Sequence, residues 1–260
     1  MRRGGDTLRI RVLGASGSER PGSSLTGFLI DDKTILDPGT VTPLLTFEEQ
    51  ERITDVLISH SHLDHIRDLP FILDNRLMLD EVRTINVWAL EETITILKEH
   101  LFNDLLWPDF TRLPVPERPV LRFHELFPGM FLKVGGYQVK SVLVNHSVPA
   151  SGVIIKDDEG KGVGYTGDTG RTRRFWEEIY KEGVEHIIVE VSFPDGHHDM
   201  AGSSGHYSPR VLIEDLKRFT LHERNIYITH VKPQFQEEIE REMSGLRFVR
   251  FLRGGEVIEL

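Results

Sequence analysis

His60-Ser61-His62-Leu63-Asp64-His65 follows directly on the apolar run Val56-Leu57-Ile58. Its three imidazoles and one carboxylate are the donor types that zinc, manganese and iron accept. A surface histidine patch would scatter its residues, whereas this spacing, H-x-H-x-D-H, sits where a strand gives way to a loop. The stretch predicts a metal site carried at a strand end, the place where an α/β scaffold gathers its loops.

Upstream, Leu8 to Leu13 alternates as a strand and leads into a long loop of small polar residues, Gly14 to Ser24. That loop reads either as a flexible connection or as a rim over a pocket. Thr26 to Ile30 and Lys33 to Leu36 form a hairpin around Asp31-Asp32. Asp37 either caps the turn that follows or holds a ligand histidine, and we take the turn. Phe47 to Ile53 is a short helix.

Downstream, Ile66 to Leu79 has helical spacing, which puts Asp64 and His65 at or just before a helix start. Ile85 to Ala89 reads as a strand and Glu91 to His100 as a helix. The aromatic segment Phe102 to Phe110, around Trp107, is irregular and is read as a lid or subunit contact, or else as a satellite core.

The second half repeats the rhythm. Strands at Gln138–Val144, Val163–Thr166 and Asn225–Thr229 end in His146, Asp168 and His230. A helix spans Thr172 to Lys181, and a strand His186 to Val191 follows it. A Gly-, Ser- and His-rich loop, Pro194 to Ser208, precedes a helix over Pro209 to Phe219. Phe248–Leu252 and Val257–Leu260 form a closing hairpin around Gly254-Gly255. With the hexapeptide, the strand ends supply seven ligands: His60, His62, Asp64, His65, His146, Asp168 and His230. That number suffices for two metals sharing one carboxylate. His197 and His198 are read as surface residues, and His100, His124, His186 and His222 as structural.

The 260 residues carry no composition shift, so one domain over 1–260 with two similar halves is expected. There is no cysteine, which excludes disulfides and leaves His, Asp and Glu to build any metal site. Met1 to Asp6 is followed by no apolar h-region and no apolar run reaches membrane-spanning length, so a cytoplasmic protein is expected. A net charge of -10 argues against a grip on long nucleic acid.

Taken together these motifs resemble the metallo-β-lactamase fold superfamily over nearly the whole chain. Within it the chain is most similar to class II 3′,5′-cyclic nucleotide phosphodiesterases, and more distantly to tRNase Z. The likeness is carried by Ser61-His62-Leu63-Asp64-His65-Ile66, Trp107-Pro108-Asp109, Asn145-His146-Ser147-Val148-Pro149 and Gly164-Tyr165-Thr166-Gly167-Asp168-Thr169. Glu190-Val191-Ser192-Phe193 and Ser204-Gly205-His206-Tyr207-Ser208-Pro209 narrow it to the phosphodiesterase branches.

The resemblance implies an αβ/βα sandwich of two mixed sheets with helices outside. It implies His60, His62 and His146 on one metal, Asp64, His65 and His230 on the other, and Asp168 between them. Zinc is the leading metal, with manganese or iron as alternatives. At Ala201-Gly202-Ser203-Ser204 the chain departs from the family pattern, so a different approach to His206 is expected.

The expected chemistry is hydrolysis of a small phosphodiester, foremost cAMP or cGMP, to the 5′-monophosphate. Two metals about 3.5–4 Å apart would bridge and acidify the water that attacks phosphorus. His206 is the candidate general acid or oxyanion stabiliser, Glu190 its orienting carboxylate, and Asp64 a ligand that also joins the catalytic set. The bland reading of His206 is a cap for the helix at Pro209. The alternatives are a tRNase Z-like endoribonuclease, a thioester or lactone hydrolase, and a di-iron redox or sensor protein. The stretch Asp74–Phe127 holds six Lys/Arg against ten Asp/Glu, a poor grip for RNA. A homodimer through the Trp107 segment is the expected assembly.

Overall fold

The alternating runs and amphipathic segments sort into two sheets laid face to face. The computed structural model describes residues 8–221 and 223–260. The readings of Met1 to Asp6 and of His222 therefore lie outside the described residues.

The first half contributes β1 (Arg9–Gly14), β2 (Gly27–Ile30), β3 (Thr34–Leu36), α1 (Phe47–Glu51), β4 (Asp55–Leu57), α2 (Leu63–Ile66), α3 (Leu69–Leu77), β5 (Ile85–Ala89) and α4 (Glu91–Ile96). A two-stranded ribbon of β6 (Pro114–Val115) and β7 (Arg118–Pro119) leads to β8 (Leu121–Glu125). Then come β9 (Phe131–Val134), β10 (Tyr137–Leu143), β11 (Ser151–Lys156), β12 (Gly162–Tyr165), α5 (Arg173–Lys181) and β13 (His186–Glu190). The chain closes with α6 (His198–Ser204), α7 (Pro209–Arg218), β14 (Asn225–Thr229), α8 (Gln236–Met243), β15 (Val249–Phe251) and β16 (Val257–Glu259).

One sheet is ordered β16-β1-β2-β3-β4-β5-β8 and the other β15-β14-β13-β12-β11-β10-β9. The first is antiparallel from β16 to β3 and parallel from β3 to β8. The second is parallel from β15 to β12 and antiparallel beyond. Both sheets thus share one plan, and the carboxyl ends of β3, β4, β10, β12, β13 and β14 meet along one edge. That convergence is what positions the site.

Ile10, Val12 and Phe28 of the first sheet pack against Val139, Val153 and Ile188 of the second. Each such side chain contributes about 1.5–3 kcal/mol of burial. α3 and α4 cover the outer face of the first sheet through Ile72, Leu73 and Ile94. α5, α7 and α8 cover the second through Trp176, Leu212 and Ile239. The four layers are those of the αβ/βα sandwich.

Several boundaries differ from the sequence reading. Phe248–Leu252 and Val257–Leu260 are not a hairpin: β15 pairs with β14, while β16 pairs with β1 in the other sheet. A Gly-Gly turn signals that the chain reverses but not which open edge each arm will join. The single helix expected over Ile66 to Leu79 is two, α2 and α3, with Asp64 and His65 inside the first. The helix at Glu91 continues past Ile96 as a π-helical turn, Leu97–Leu101. The loop Pro194–Ser208 contains α6, whose Gly and Ser content hid it; Ala201 is buried and anchors it. Strands β6 to β9 and β11 and helix α8 have no counterpart in the sequence reading.

Candidate metal centre

At the end of β4, Ser59 ties the chain down before the cluster begins. Its backbone N–H donates to Asp37 Oδ1 at 2.7 Å and its hydroxyl to Asp37 Oδ2 at 2.6 Å. His60 follows, fully buried, with its Nδ1 3.0 Å from the Ser59 hydroxyl. His62 caps the start of α2, so Asp64 and His65 fall on that helix and turn toward the same point. His65 Nδ1–H donates to Asp37 Oδ2 at 2.9 Å, and the Tyr165 hydroxyl donates to the same oxygen at 2.7 Å. Asp37 is therefore a partner of a candidate ligand, and the turn-capping reading is corrected. Its φ of +53° holds a non-glycine residue in the left-handed region, a strain that the four hydrogen bonds offset.

The second half supplies donors one loop at a time. His146 follows β10, and its Nδ1–H donates 2.9 Å to the carbonyl of Gly205. Asp168 follows β12 after Gly167, whose φ is +59°. A Cβ at Gly167 would lie 2.8 Å from Ser59 Cβ, so only glycine lets the two sheets' loops approach. His230 follows β14 with φ +57°, a strained position that aims its ring into the centre. Its Nδ1 lies 2.9 Å from the Ser192 hydroxyl, which in turn donates to Glu190 Oε2 at 2.8 Å.

These tethers fix protons. His65 and His146 donate their outer N–H to oxygens that can only accept, and His60 and His230 each have a serine hydroxyl that gives its own proton to a carboxylate. In each neutral imidazole the inner nitrogen is thereby left as a lone pair. His65 Nε2 and His230 Nε2 face each other at 3.2 Å, and His146 Nε2 and His62 Nδ1 at 3.1 Å. Asp168 Oδ2 lies 3.3 Å from both His65 Nε2 and His230 Nε2, and 3.8 Å from His60 Nε2. His60 Nε2 and Asp168 Oδ1 are buried without any hydrogen-bond partner. Buried acceptors converging on one another without donors are costly unless a cation lies between them.

The donors divide into His60, His62, His146, Asp168 and Asp64, His65, Asp168, His230, each set within 4.8 Å, with Asp168 common to both. The residues present thus fit divalent metal. Burial lowers His60 well below the ordinary histidine value, and it also lowers His62 and His146. Burial opposes charge on Asp168 and on His65. The histidines around Asp168 nonetheless hold its carboxyl well below the usual range, and Asp168 with Asp37 raises His65 well above its own.

His206 is delivered by the end of α6. Gly205 adopts φ +72° as the helix cap, and a Cβ there would meet His146 Cα at 2.9 Å. His206 Nδ1–H donates to Glu190 Oε1 at 3.0 Å, and its ring stacks on His230 with centroids 5.6 Å apart. Burial opposes its charge, but Glu190 raises it above the ordinary histidine value. It makes no side-chain cap to α7, whose cap residue is Ser208. Glu190 is fully buried and also accepts from the N–H groups of Thr169 and Tyr207. Ser59, Tyr165 and Ser192 were not singled out from the sequence, because a hydroxyl that positions an imidazole leaves no spacing signal.

The Gly14–Ser24 loop is a rim. Ser16 bridges to Val231, and the loop lines a cleft of about 980 Å³ with Pro233, Gln236 and Arg253. The Trp107 segment packs Trp107 on Phe71 at 5.5 Å and leaves Leu105 and Leu106 exposed. His197 and His198 are exposed.

Residues 41–166 match the family model of class-II cAMP phosphodiesterases. The chain is 26% identical over 213 residues to a probable 3′,5′-cyclic-nucleotide phosphodiesterase of Yersinia pestis, covering 72% of this chain and 60% of that one. It is 29% identical over 216 residues to 3′,5′-cyclic-nucleotide phosphodiesterase 1 of Saccharomyces cerevisiae, covering 72% and 58%. It therefore spans about three fifths of the length of these relatives. The solved structure of unliganded yeast PDE1 superposes with a TM-score of 0.82 at 21% identity, covering 98% of this chain and 100% of that one.

Proposed function

We propose that this chain, which has the metallo-β-lactamase fold, is a single-domain, dinuclear metal-dependent phosphodiesterase that opens a 3′,5′-cyclic nucleotide to the 5′-monophosphate. The observation that carries the reading is the Glu190–His206 pair at 3.0 Å, placed against His230 beside the two donor sets. A carbon-centred hydrolase of this fold has no need of such a held imidazole.

Bound metal, zinc foremost, supplies an acidified water and neutralises the phosphoryl oxygens. The chain's own residues do the rest. Asp64, with a third of its side chain exposed, faces the open side and accepts a hydrogen bond from the attacking water. His206, held through Nδ1–H by Glu190, gives its Nε2 proton to the leaving ribose oxygen. Glu190 keeps Nδ1–H in place so that only the other nitrogen faces substrate.

The tRNase Z-like reading lacks a basic arm, since Asp74–Phe127 is acidic. The di-iron reading predicts a visible absorption band on aerobic purification. Among the described residues no helix is long and apolar enough to cross a membrane. A cytoplasmic homodimer joined through exposed Leu105 and Leu106 is the assembly we expect.

The test is a hydrolysis panel with metal-loaded protein: cAMP, cGMP, 2′,3′-cyclic nucleotides, cyclic dinucleotides, bis-p-nitrophenyl phosphate, a thioester and a pre-tRNA. Turnover of a 3′,5′-cyclic nucleotide supports the proposal. Turnover of the thioester with inert phosphodiesters refutes it.

A further inference from the structure

Beyond His206 the site does not end in bare solvent. A file of rings leads outward from it: His206 to Phe193 at 5.8 Å between centroids, Phe193 to Phe235 at 6.1 Å, Phe235 to His197 at 4.9 Å. Phe193 is buried at the base, Phe235 is half-buried and His197 is exposed. Exposure thus grows with distance from the metal donors. Phe235 sits on a short turn, Pro233–Phe235, that directly follows the His230 loop, and His197 sits just before α6, the helix that delivers His206. The file is therefore built on the same two segments that build the site.

Lys232 lies along this file. Its ammonium is 5.3 Å from the Phe193 ring centre and donates to the Gly17 carbonyl at 3.3 Å. Among the described residues it has no carboxylate partner, unlike Lys140, which holds two. An uncompensated cation at the inner end and aromatic faces at the outer end match a ligand that is anionic at one end and flat at the other. The acidic side chains near the outer end make the same demand: Glu242 accepts from the Asp195 N–H, and Glu238 lies beside Gly196. They repel a second phosphate and tolerate an uncharged heterocycle.

We propose that Phe235 and His197 form a nucleobase-stacking subsite, and that Lys232 is a positioning residue for the phosphate of the same nucleotide. The proposal rests on the phosphodiester reading and names the substrate as a nucleotide with an aromatic base. Stacking accepts any base, so the file selects for the presence of a base and not for its identity.

Calorimetric titration of the metal-loaded protein with adenosine 5′-monophosphate and with ribose 5-phosphate tests it. These ligands share the phosphate and sugar and differ by the base. The wild-type protein is expected to bind the nucleotide roughly 5- to 150-fold more tightly, the worth of one stacked base. Phe235→Leu keeps an apolar side chain against the core and removes the aromatic face, and His197→Ala removes an exposed ring. Each should shrink that ratio while leaving ribose 5-phosphate binding unchanged. Lys232→Gln should weaken both ligands alike, by about tenfold or more. A wild-type ratio of one, a ratio that survives both ring substitutions, or Lys232→Gln binding both ligands at wild-type strength would overturn the assignment. Failure of the phosphodiester reading shows elsewhere, as absence of phosphodiester turnover in the hydrolysis panel, and leaves this binding ratio measurable.

Discussion

The first sheet delivers His60, His62, Asp64 and His65 from one turn after β4, whereas the second delivers His146, Asp168, His206 and His230 from four separate loops. The shared plan of the sheets makes the contrast instructive. In the first half, chain connectivity does most of the positioning, and one buried aspartate beneath the cluster, Asp37, holds Ser59, His65 and Tyr165 together. In the second half the histidines are held from different places: the Gly205 carbonyl for His146, Ser192 for His230, and Glu190 with Ser192 for His206. A compact motif concentrates its dependence on one support, and a dispersed one spreads it.

Asp168 should break this contrast most severely, because it comes from the dispersed half yet belongs to both donor sets. Asp168→Ala is expected to strip one or both metals and abolish turnover, read by elemental analysis alongside activity; two metals retained would refute the shared carboxylate. His206→Ala comes next. It should keep the metal content of the wild-type protein and lose roughly 10²–10⁴-fold in turnover. Undiminished turnover with metals intact would leave His206 with no catalytic role.

Asp37 tests the concentrated half. Asp37→Asn keeps the shape but cannot accept from Ser59, His65 and Tyr165 as a carboxylate does. A drop of roughly 10- to 100-fold in metal affinity is expected, the usual effect of removing the partner that orients a ligand histidine. Ser192→Ala removes a hydroxyl shared by His230 and His206, of which only His230 belongs to the two donor sets, and should cost less metal affinity. Competition with a chelator measures both, and a larger loss for Ser192→Ala would reverse the comparison.

The same contrast explains what the sequence could tell. The hexapeptide is legible because its donors are neighbours in the chain, and His146, Asp168 and His230 because each stands just past an apolar run. Asp37 reads as a turn residue in the sequence, since only the folded chain brings it 2.9 Å from His65, 28 positions away. β11 escaped notice because it is buried on both faces and shows no alternation, and it begins Ser-Gly where Gly152 must admit the Phe175 ring. α6 escapes because His198, Asp199, Gly202, Ser203 and Ser204 are weak helix formers and buried Ala201 anchors it. The two arms after Phe248 were recognisable as strands, but the sheet each joins is settled by which edges the rest of the molecule leaves open.

The smallest expected effect lies away from the centre and separates fold electrostatics from site electrostatics. Lys140 on β10 is buried and pairs with Glu178 at 2.9 Å and Glu182 at 2.7 Å, both at the end of α5. The lysine's hydrogen bonds lower both carboxyls from their ordinary value. A carboxyl lowered on folding stabilises the folded chain fully above its unfolded pKa, and that stability is lost as pH falls through the lowered folded value. Lys140→Met should therefore destabilise the protein at neutral pH by no more than about 1 kcal/mol, as expected for partly exposed pairs. The difference from wild type should shrink toward zero on acidification below about pH 4. Urea midpoints of the two proteins, measured side by side, cancel the acid loss of metal that both share. A difference that stayed constant with pH would mean that Lys140 contributes through packing against Phe131, whose ring centre lies 4.5 Å from its ammonium, and not through charge.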